Sequence, residues 1–574
     1  MKVNSYKKNT YSTSPQKLLL CLLPFWTPMT PPQSISQLKN YIQTNSSHLV
    51  KAVDFNVMNE FEELYNLYFE TLKNYIPEDK QGSFYNLGQD AIQNHMMAYI
   101  NCTDIDEYNE LVRLIISNNY FCVLTEDQIE SFNYVISEMF SKLEDNLVNL
   151  IEAEKPDVIG IDVYNTSLAA SVFSARLVRD RYPHIKIVMG GGMFIWQLPP
   201  ESSDFNKFVE AVKKFVDMIY VGLGNKIFLD YLNGELEEEK IVYISDELSN
   251  KNIDSEIVIP DLDDFNVQYY PYLFGIGSVS CPFDCGFCIA NKYYGKYRKR
   301  DIKKVVTEIE TLSKKYGRKL FFMNDSLLNP IIMDFCNELI KNKVSIYFDS
   351  FLRADEASAN IDNTLLWRKA GFYKARIGVE SGSQRLLDIM NKGTQIEQLK
   401  ATISGLAYAG IKTTALWIVG HPGETEEDFL ETLNLLEELK DDIYEVECNQ
   451  FFYYHTYQTS TESWEDKATL LYSEKFSDKL MLPTWFLDCE PSREEAFDRI
   501  NRFALQCKKL GIPTPNNMQE IHFADKRWKR LHRNSAPPLV EIQNNQCIDN
   551  RENLVKMNTA ARMQIDDTKF GFEL

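Results

Sequence analysis

Short apolar runs and longer amphipathic runs alternate along this chain, and their spacing divides it. Lys17–Leu23 and Leu49–Asp54 are nearly continuous apolar stretches, as strands buried on both faces require. A loop carrying Pro24, Pro28, Pro31 and Pro32 separates them, followed by a helix starting near Ser34. From residue 58 to 153 the texture changes. Apolar positions recur at helical spacing, as in Phe61, Leu64, Leu67 and Tyr68, with few Gly or Pro, which predicts an inserted helical block. Strand and helix then alternate: strands at Val158–Val163, Ile185–Met189 and Met218–Val221, helices at Ser167–Arg181 and Asn225–Leu232. Apolar strands alternating with helices predict a parallel, doubly wound α/β sheet, placed at residues 17–250. Ligands of such sheets gather at the carboxyl ends of the strands, which marks Thr166, Ser167, Gly190, Gly191, Gly192, Gly222 and Gly224 as crevice residues. Glycines there let backbone come close to a large flat ligand.

A second alternation begins at Gly275–Ser280. Strands are expected at Leu320–Met323, Val344–Ser350, Lys374–Gly378, Lys412–Val419 and Glu445–Phe452, with helices between. Six such units predict a partial TIM-type (β/α)6 barrel over residues 267–485, with function at the strand carboxyl ends. Residues 1–16 are polar and predicted disordered, 251–266 read as an acidic linker, and 486–574 as a small helical region.

Length and charge narrow the class. A chain of 574 residues fits two or three domains. A net charge of −21 argues against a nucleic-acid partner, which needs a basic face. One local exception holds seven Lys and Arg between Lys292 and Lys304, and suits either an acidic peptide or carboxylate, or simply a solvated helix start. Eleven scattered cysteines do not form a disulfide framework. The apolar run Leu18–Trp26 follows Lys2, Lys7 and Lys8, as in a signal peptide, but Pro24 interrupts it and no small-x-small cleavage site follows. No stretch reaches the roughly 18 apolar residues that a membrane span needs. The expected location is cytoplasmic, without a membrane partner.

Three cysteines break the scatter. Cys281, Cys285 and Cys288 read C-x3-C-x2-C within Ser280–Ala290, so one loop can point three thiolates at one place. Three is one short of the four ligands of a cubane iron–sulfur cluster, which leaves one iron open. Zinc is the competing reading, although the second Cys/His pair of a structural zinc site does not follow nearby.

The triplet, with Phe287 just before its last cysteine, resembles the cluster loop of radical S-adenosylmethionine (SAM) enzymes. Gly378-Val-Glu-Ser-Gly-Ser383 resembles that family's fourth-strand motif, and Trp417-Ile-Val-Gly-His-Pro-Gly-Glu-Thr425 its fifth-strand motif. Upstream, Pro156–Val163 and Val188–Gly192 resemble a cobalamin-binding Rossmann domain. The resemblance implies a 4Fe–4S cluster on Cys281, Cys285 and Cys288. The open iron would hold the SAM amino and carboxylate groups, and one electron would cleave SAM to a 5′-deoxyadenosyl radical. It places Phe287 beside the adenine, Asn324 and Asp325 at the SAM amino group, Arg353 at the SAM carboxylate, and Glu380 and Ser381 at the ribose. Gly420 and His421 lie against the adenine, with no base role for His421. A family-typical Gly-Gly-Glu run is replaced here by Met-Asn-Asp-Ser. The upstream domain lacks an Asp-x-His-x-x-Gly motif, so cobalamin would bind without a lower His ligand.

The resemblance implies an enzyme that methylates an unactivated carbon of a peptide or natural-product precursor with cobalamin, fed by an external electron donor of the flavodoxin or ferredoxin type. The proline-rich opening at Pro24–Pro32 and the helical insert resemble maturases of ribosomally made peptides. Two alternatives stand beside it: a cobalamin-independent epimerase or cross-linking peptide maturase, and a non-catalytic iron–sulfur or zinc scaffold.

Overall fold

The computed structural model describes residues 14–554, apart from 237–239, 246–252, 256, 456–457, 459–460, 515–517, 547–550 and 552–553. Residues 1–13 of the expected disordered start, parts of the linker and the end of the C-terminal region lie outside the described residues. The chain forms two compact units. One comprises residues 1–76, 87–270 and 470–484, the other 77–86, 271–469 and 485–574.

The first unit is built on six parallel strands: β1 (Lys17–Leu22), β2 (Leu49–Asp54), β3 (Val158–Asp162), β4 (Lys186–Gly190), β5 (Met218–Val221) and β6 (Val242–Ile244). They lie in the order β2-β1-β3-β4-β5-β6, a Rossmann-like arrangement. Leu18 to Leu22 are all buried, as a strand with neighbours on both sides demands. The apolar run near the N-terminus is therefore a sheet strand.

The helical insert consists of helices Asn59–Tyr75, Phe84–Asn101, Ile105–Tyr120 and Glu126–Glu154. In the last, Ile129, Phe132, Val135, Ile136, Met139, Phe140 and Leu143 repeat at three and four residues and are buried. Thr125 starts it with a capping box to Gln128. Inside the insert, buried His95 meets the hydroxyl of Tyr108 at 2.8 Å and Asn133 at 3.0 Å, and burial pushes its pKa down to about 3.

The acidic segment expected as a linker is clasped to the first unit. Asp264 lies 2.7 Å from the Lys39 ammonium and accepts from the Ala52 amide at 2.8 Å. The Tyr270 hydroxyl donates to Asp54 at 2.9 Å.

The second unit adds β7 (Leu273–Gly275), an antiparallel pair β8 (Ser278–Val279) and β9 (Arg298–Lys299), and then β10 (Leu320–Met323), β11 (Tyr347–Leu352), β12 (Phe372–Glu380), β13 (Lys412–Val419) and β14 (Glu445–Gln450). The parallel sheet runs β14-β13-β12-β11-β10-β7, so each strand pairs with its neighbour in sequence, as in the expected partial barrel. Helices Arg493–Leu510, Met518–Leu531 and Leu539–Gln543 follow. At the amino end of the sheet the Lys412 ammonium binds the Tyr373 hydroxyl at 2.8 Å, the Pro537 carbonyl at 2.9 Å and the Asp525 carboxylate. Helix Met518–Leu531 and the segment at Pro537 thus seal the end of the sheet opposite the motif-bearing loops, whereas Arg493–Leu510 lies against the loop after β13, where Arg499 binds Glu424 at 2.7 Å.

Asp162, the last residue of β3, is buried, accepts from the Ser34 hydroxyl, and is pushed up to about 7 by burial. A raised carboxyl pKa means that the folded state holds the proton more tightly. Its stabilising contribution is complete below the unfolded value of 3.8 and is lost as pH rises through about 7. The wild-type unfolding midpoint should fall relative to Asp162→Asn between about pH 4 and 7, then run parallel to it. Differential scanning fluorimetry across that range checks this, and a constant difference would refute it.

Candidate functional site

The carboxyl ends of β7 and β10–β13 bring most of the expected barrel residues together. The triplet loop follows β8. Its thiols share one electrostatic neighbourhood: burial raises Cys288 to about 11 and raises Cys281, and each feels the other two sulfurs or one of them. Among the described residues, no three His, Cys, Asp or Glu side chains meet at metal-ligating distance. Two cations stand beside the thiols. The Arg353 guanidinium donates to Cys285 Sγ at 3.5 Å and stacks 3.9 Å from the Phe283 ring centre. The Lys392 ammonium lowers the pKa of Cys281 and Cys288 and lies 5.7 Å from the Phe287 ring centre.

Lys392 was not legible as a site residue. It sits in a polar turn, Asn391-Lys-Gly393, without an apolar pattern to mark it. The fold carries it to Glu380, whose Oε1 is 2.6 Å from its Nζ, with both side chains nearly excluded from water. A register shift between Gly378 and Glu380 where β12 meets β13, and a left-handed φ of 63° at Glu380, turn this carboxylate toward Lys392. Gly378 is needed here, because a Cβ would stand 2.3 Å from Glu380 Oε1 and 2.7 Å from Lys392 Nζ.

Two expected contacts are used differently. Ser381 Oγ meets Thr432 Oγ1 at 3.1 Å and accepts from the Ser383 amide at 3.0 Å, which commits this hydroxyl to holding the turn after β12. Asp325 is buried and pushed up to about 6 by burial, and it accepts from the Gly277 amide at 3.1 Å and the Ser278 hydroxyl at 2.5 Å. It pins the strand that leads into the cysteine loop. Neighbouring Asn324 is exposed at the end of β10. Gly420 has φ 75° and packs so tightly that a Cβ would stand 2.4 Å from the Ala496 methyl group. His421 is buried, its Nδ1 facing the Pro422 carbonyl at 3.0 Å, and burial pushes it down to about 4, in keeping with a structural role.

The basic run after the loop is partly consumed by the fold. Arg300 is buried and binds the Ile276 carbonyl at 3.0 Å and Glu308 at 2.7 Å and 2.9 Å. The side chain of Lys292 lies outside the described residues.

At the carboxyl end of the first sheet, the glycines serve the protein's own packing. A Cβ on Gly190 or Gly224 would stand 2.2 Å or 2.1 Å from the Tyr220 ring, which fits between them. One on Gly191, at φ 112°, would meet Asp162 at 2.5 Å, and one on Gly192 would touch Tyr164 at 3.0 Å. Gly222 has φ 97°, a conformation glycine takes freely. The space beside the Cα of Gly190, Gly191, Gly192 and Gly224 is thus filled by protein atoms. Ser167 is likewise committed, accepting from the Tyr164 amide at 3.0 Å. The polar atoms left buried and unpartnered in this crevice are Asn165 Oδ1 and Thr166 Oγ1. Beside them, Trp26 stacks on Tyr164 at 4.4 Å and is partly exposed.

Asp325→Ala should lower stability by about 1–3 kcal/mol, the usual cost of stripping buried hydrogen-bond donors of their acceptor. Asp325→Asn should recover part of it. Denaturant midpoints measure both, and an unchanged Ala variant would remove Asp325 from this role.

Residues 276–436 match the family model of the radical SAM superfamily. Anaerobic magnesium-protoporphyrin IX monomethyl ester cyclase of Rubrivivax gelatinosus is 29% identical over 331 residues, covering 52% of this chain and 57% of that protein. An uncharacterized methyltransferase of Pyrococcus horikoshii is 22% identical over 310 residues, covering 51% of this chain and 67% of that protein. This chain thus spans only a little over half the length of the cyclase. The radical SAM methyltransferase TsrM of Kitasatospora setae, solved with cobalamin and a 4Fe–4S cluster, matches with a TM-score of 0.58 at 12% identity over 93% of this chain and 99% of that one, a likeness of fold. The chain therefore carries a radical SAM domain, and with it the requirement for a 4Fe–4S cluster and SAM, behind a Rossmann-like parallel sheet.

Proposed function

We propose that this protein is a cobalamin-dependent radical SAM methyltransferase acting on a peptide or natural-product precursor. The observation that carries this reading is the conjunction of a cysteine loop flanked by Arg353 and Lys392 with a Rossmann-like sheet whose crevice holds orphaned polar atoms at Asn165 and Thr166. The TsrM fold, solved with both cofactors, supports it.

The donor sets suit the two groups. Three soft thiols in one loop would suit an iron–sulfur cluster, and Arg353 and Lys392 oppose the rise that burial imposes on the Cys281 thiol. Cys281, Cys285 and Cys288 would hold it. When bound, the cluster supplies the single electron that opens the sulfonium C–S bond of SAM. Glu380 would orient the ribose and Phe287 would face the adenine, with Gly420 and His421 shaping its far wall. Lys392 fixes Glu380 in place through the ion pair. Arg353, already engaged with Cys285, is available to the SAM carboxylate on its remaining donors. Thr166 and Asn165 offer hydrogen bonds to cobalamin, which when bound supplies the methyl group. Electrons would come from a flavodoxin- or ferredoxin-type donor.

Glu380→Gln keeps the shape of the side chain and an oxygen for Lys392. It should cost roughly 1.5–3 kcal/mol of SAM binding, tenfold or more in affinity, and should also lower thermal stability by leaving buried Lys392 without its counter-charge. Calorimetric titration of the anaerobically reconstituted protein reads the first and thermal unfolding the second. Equal SAM affinity would remove Glu380 from the site.

The crevice is tested at Thr166 and not at a glycine, because Leu at Gly191 would collide with Asp162 and the Val163 backbone. Wild type should bind hydroxocobalamin near one per chain. Thr166→Val should lose roughly three- to tenfold in affinity while keeping its iron. Product mass should rise by one methyl group only with cobalamin present. Turnover of a peptide without cobalamin and without mass gain would favour the epimerase or cross-linking reading.

A further inference from the structure

Just past β14 the chain builds a run of ring contacts of which the proposed SAM site uses only His421. His421 meets Phe451 at 5.1 Å and Trp464 at 5.7 Å, and Trp464 meets Tyr453 at 6.3 Å. Tyr453 meets His455 at 6.2 Å, and His455 stacks on Trp485 at 4.1 Å with ring planes 11° apart. Four of these six rings carry a polar atom that is buried and has no hydrogen-bond partner among the described residues: His421 Nε2, Tyr453 Oη, His455 Nδ1 and Trp485 Nε1. Buried polar atoms are almost always paired, so four in one contiguous set point to a partner from outside the chain. The box leans on the cluster loop: Gln458 Nε2 donates to the Phe287 carbonyl at 2.9 Å and to the Phe452 carbonyl at 3.0 Å.

The orphaned atoms define the partner. Trp485 Nε1 can only donate. His421 Nδ1 faces the Pro422 carbonyl and so carries the proton, which leaves Nε2 as an acceptor. An anion offers nothing to the acceptor, and a cation offers nothing to the Trp485 donor. After burial, the Glu465 carboxylate is the charge that acts on Tyr453, and it further disfavours an anionic guest. Flat rings also favour a flat guest.

We infer that this aromatic box is a substrate subsite for a neutral planar amide, which offers a C=O to Trp485 and an N–H to His421. It rests on the proposed substrate class and narrows it: the substrate would present either a peptide bond beside an aromatic side chain or a heteroaromatic carboxamide. Tyr453 and His455 supply the adjustable hydrogen bonds, because a hydroxyl and an imidazole nitrogen can each serve either way.

The test is binding to the reconstituted, SAM-loaded protein by calorimetry, without turnover. N-acetylphenylalaninamide represents the peptide source and nicotinamide the heteroaromatic one. Benzoate and benzyltrimethylammonium are the charged controls. At least one amide should bind at least tenfold tighter than both controls, and the tighter amide identifies the source. Trp485→Phe and Tyr453→Phe keep the rings and remove one polar group each. Each should weaken amide binding roughly three- to tenfold, the loss expected for one hydrogen bond, and leave SAM affinity unchanged. Circular dichroism and iron content show that each variant is folded, and the second variant serves if the first is not. Three results would overturn the inference: amides binding no better than the charged controls, amide affinity unmoved in both variants, or SAM affinity falling with amide affinity, which would assign the box to SAM. Loss of methyl transfer or of cobalamin binding would strike the proposed function alone, because amide binding is read without either.

Discussion

Three sulfurs crowded into one loop repel one another once ionised, and fixed positive charge close by opposes that repulsion. Here the charge comes from Lys392 and Arg353, and much of the second unit can be read as the scaffold that holds them. Lys392 would be costly so far from water if unpaired, so Glu380 balances it. Glu380 reaches it only because β12 shifts register, takes a left-handed turn and leaves Gly378 without a side chain. Arg353 is held flat against Phe283, so its position follows from stacking as well as charge. The loop itself is anchored from beneath, where Asp325 gathers the amide of Gly277 and the hydroxyl of Ser278.

The regular parts of this architecture were legible because burial leaves a strong trace. Leu320–Met323 and Lys412–Val419 are apolar on the outward face, where helices cover them, and they match the expected strands to the residue. Val344–Ser350 was placed too early. The Val344 amide still closes the preceding helix onto the Leu339 carbonyl, and Lys343 takes a left-handed conformation, so the strand waits until Tyr347. Lys374–Gly378 was placed too short, because pairing starts directly after the Gly371 turn and continues past the register shift at Gly378. Lys374 and Arg376 are paired with Asp349 and Glu445 inside the sheet, and the strand runs from Phe372 to Glu380.

The site was legible to the same extent. Cysteine spacing and the Gly-Val-Glu-Ser and Gly-His-Pro runs marked the segments that follow β8, β12 and β13. Lys392 escaped notice because an ion pair twelve residues apart has no period. Ser381 and Asp325 were placed in the right neighbourhood, yet both hold backbone in position, a task that identity and spacing alone do not distinguish from ligand binding. The aromatic box carries its meaning in unpartnered atoms, which exist only once the rings are in contact.

The glycines of the first sheet have a consequence for how such sequences drift over time. Gly190 and Gly224 embrace Tyr220, and Gly191 lies against Asp162, so losing any of them breaks the sheet's own packing whatever the crevice holds. A descendant of this chain that gave up its crevice ligand would still be selected to retain the triple glycine. Thr166, by contrast, owes nothing to its neighbours through its hydroxyl. Among relatives, a threonine giving way to valine beside an intact glycine run would mark the lineages in which the crevice has fallen out of use.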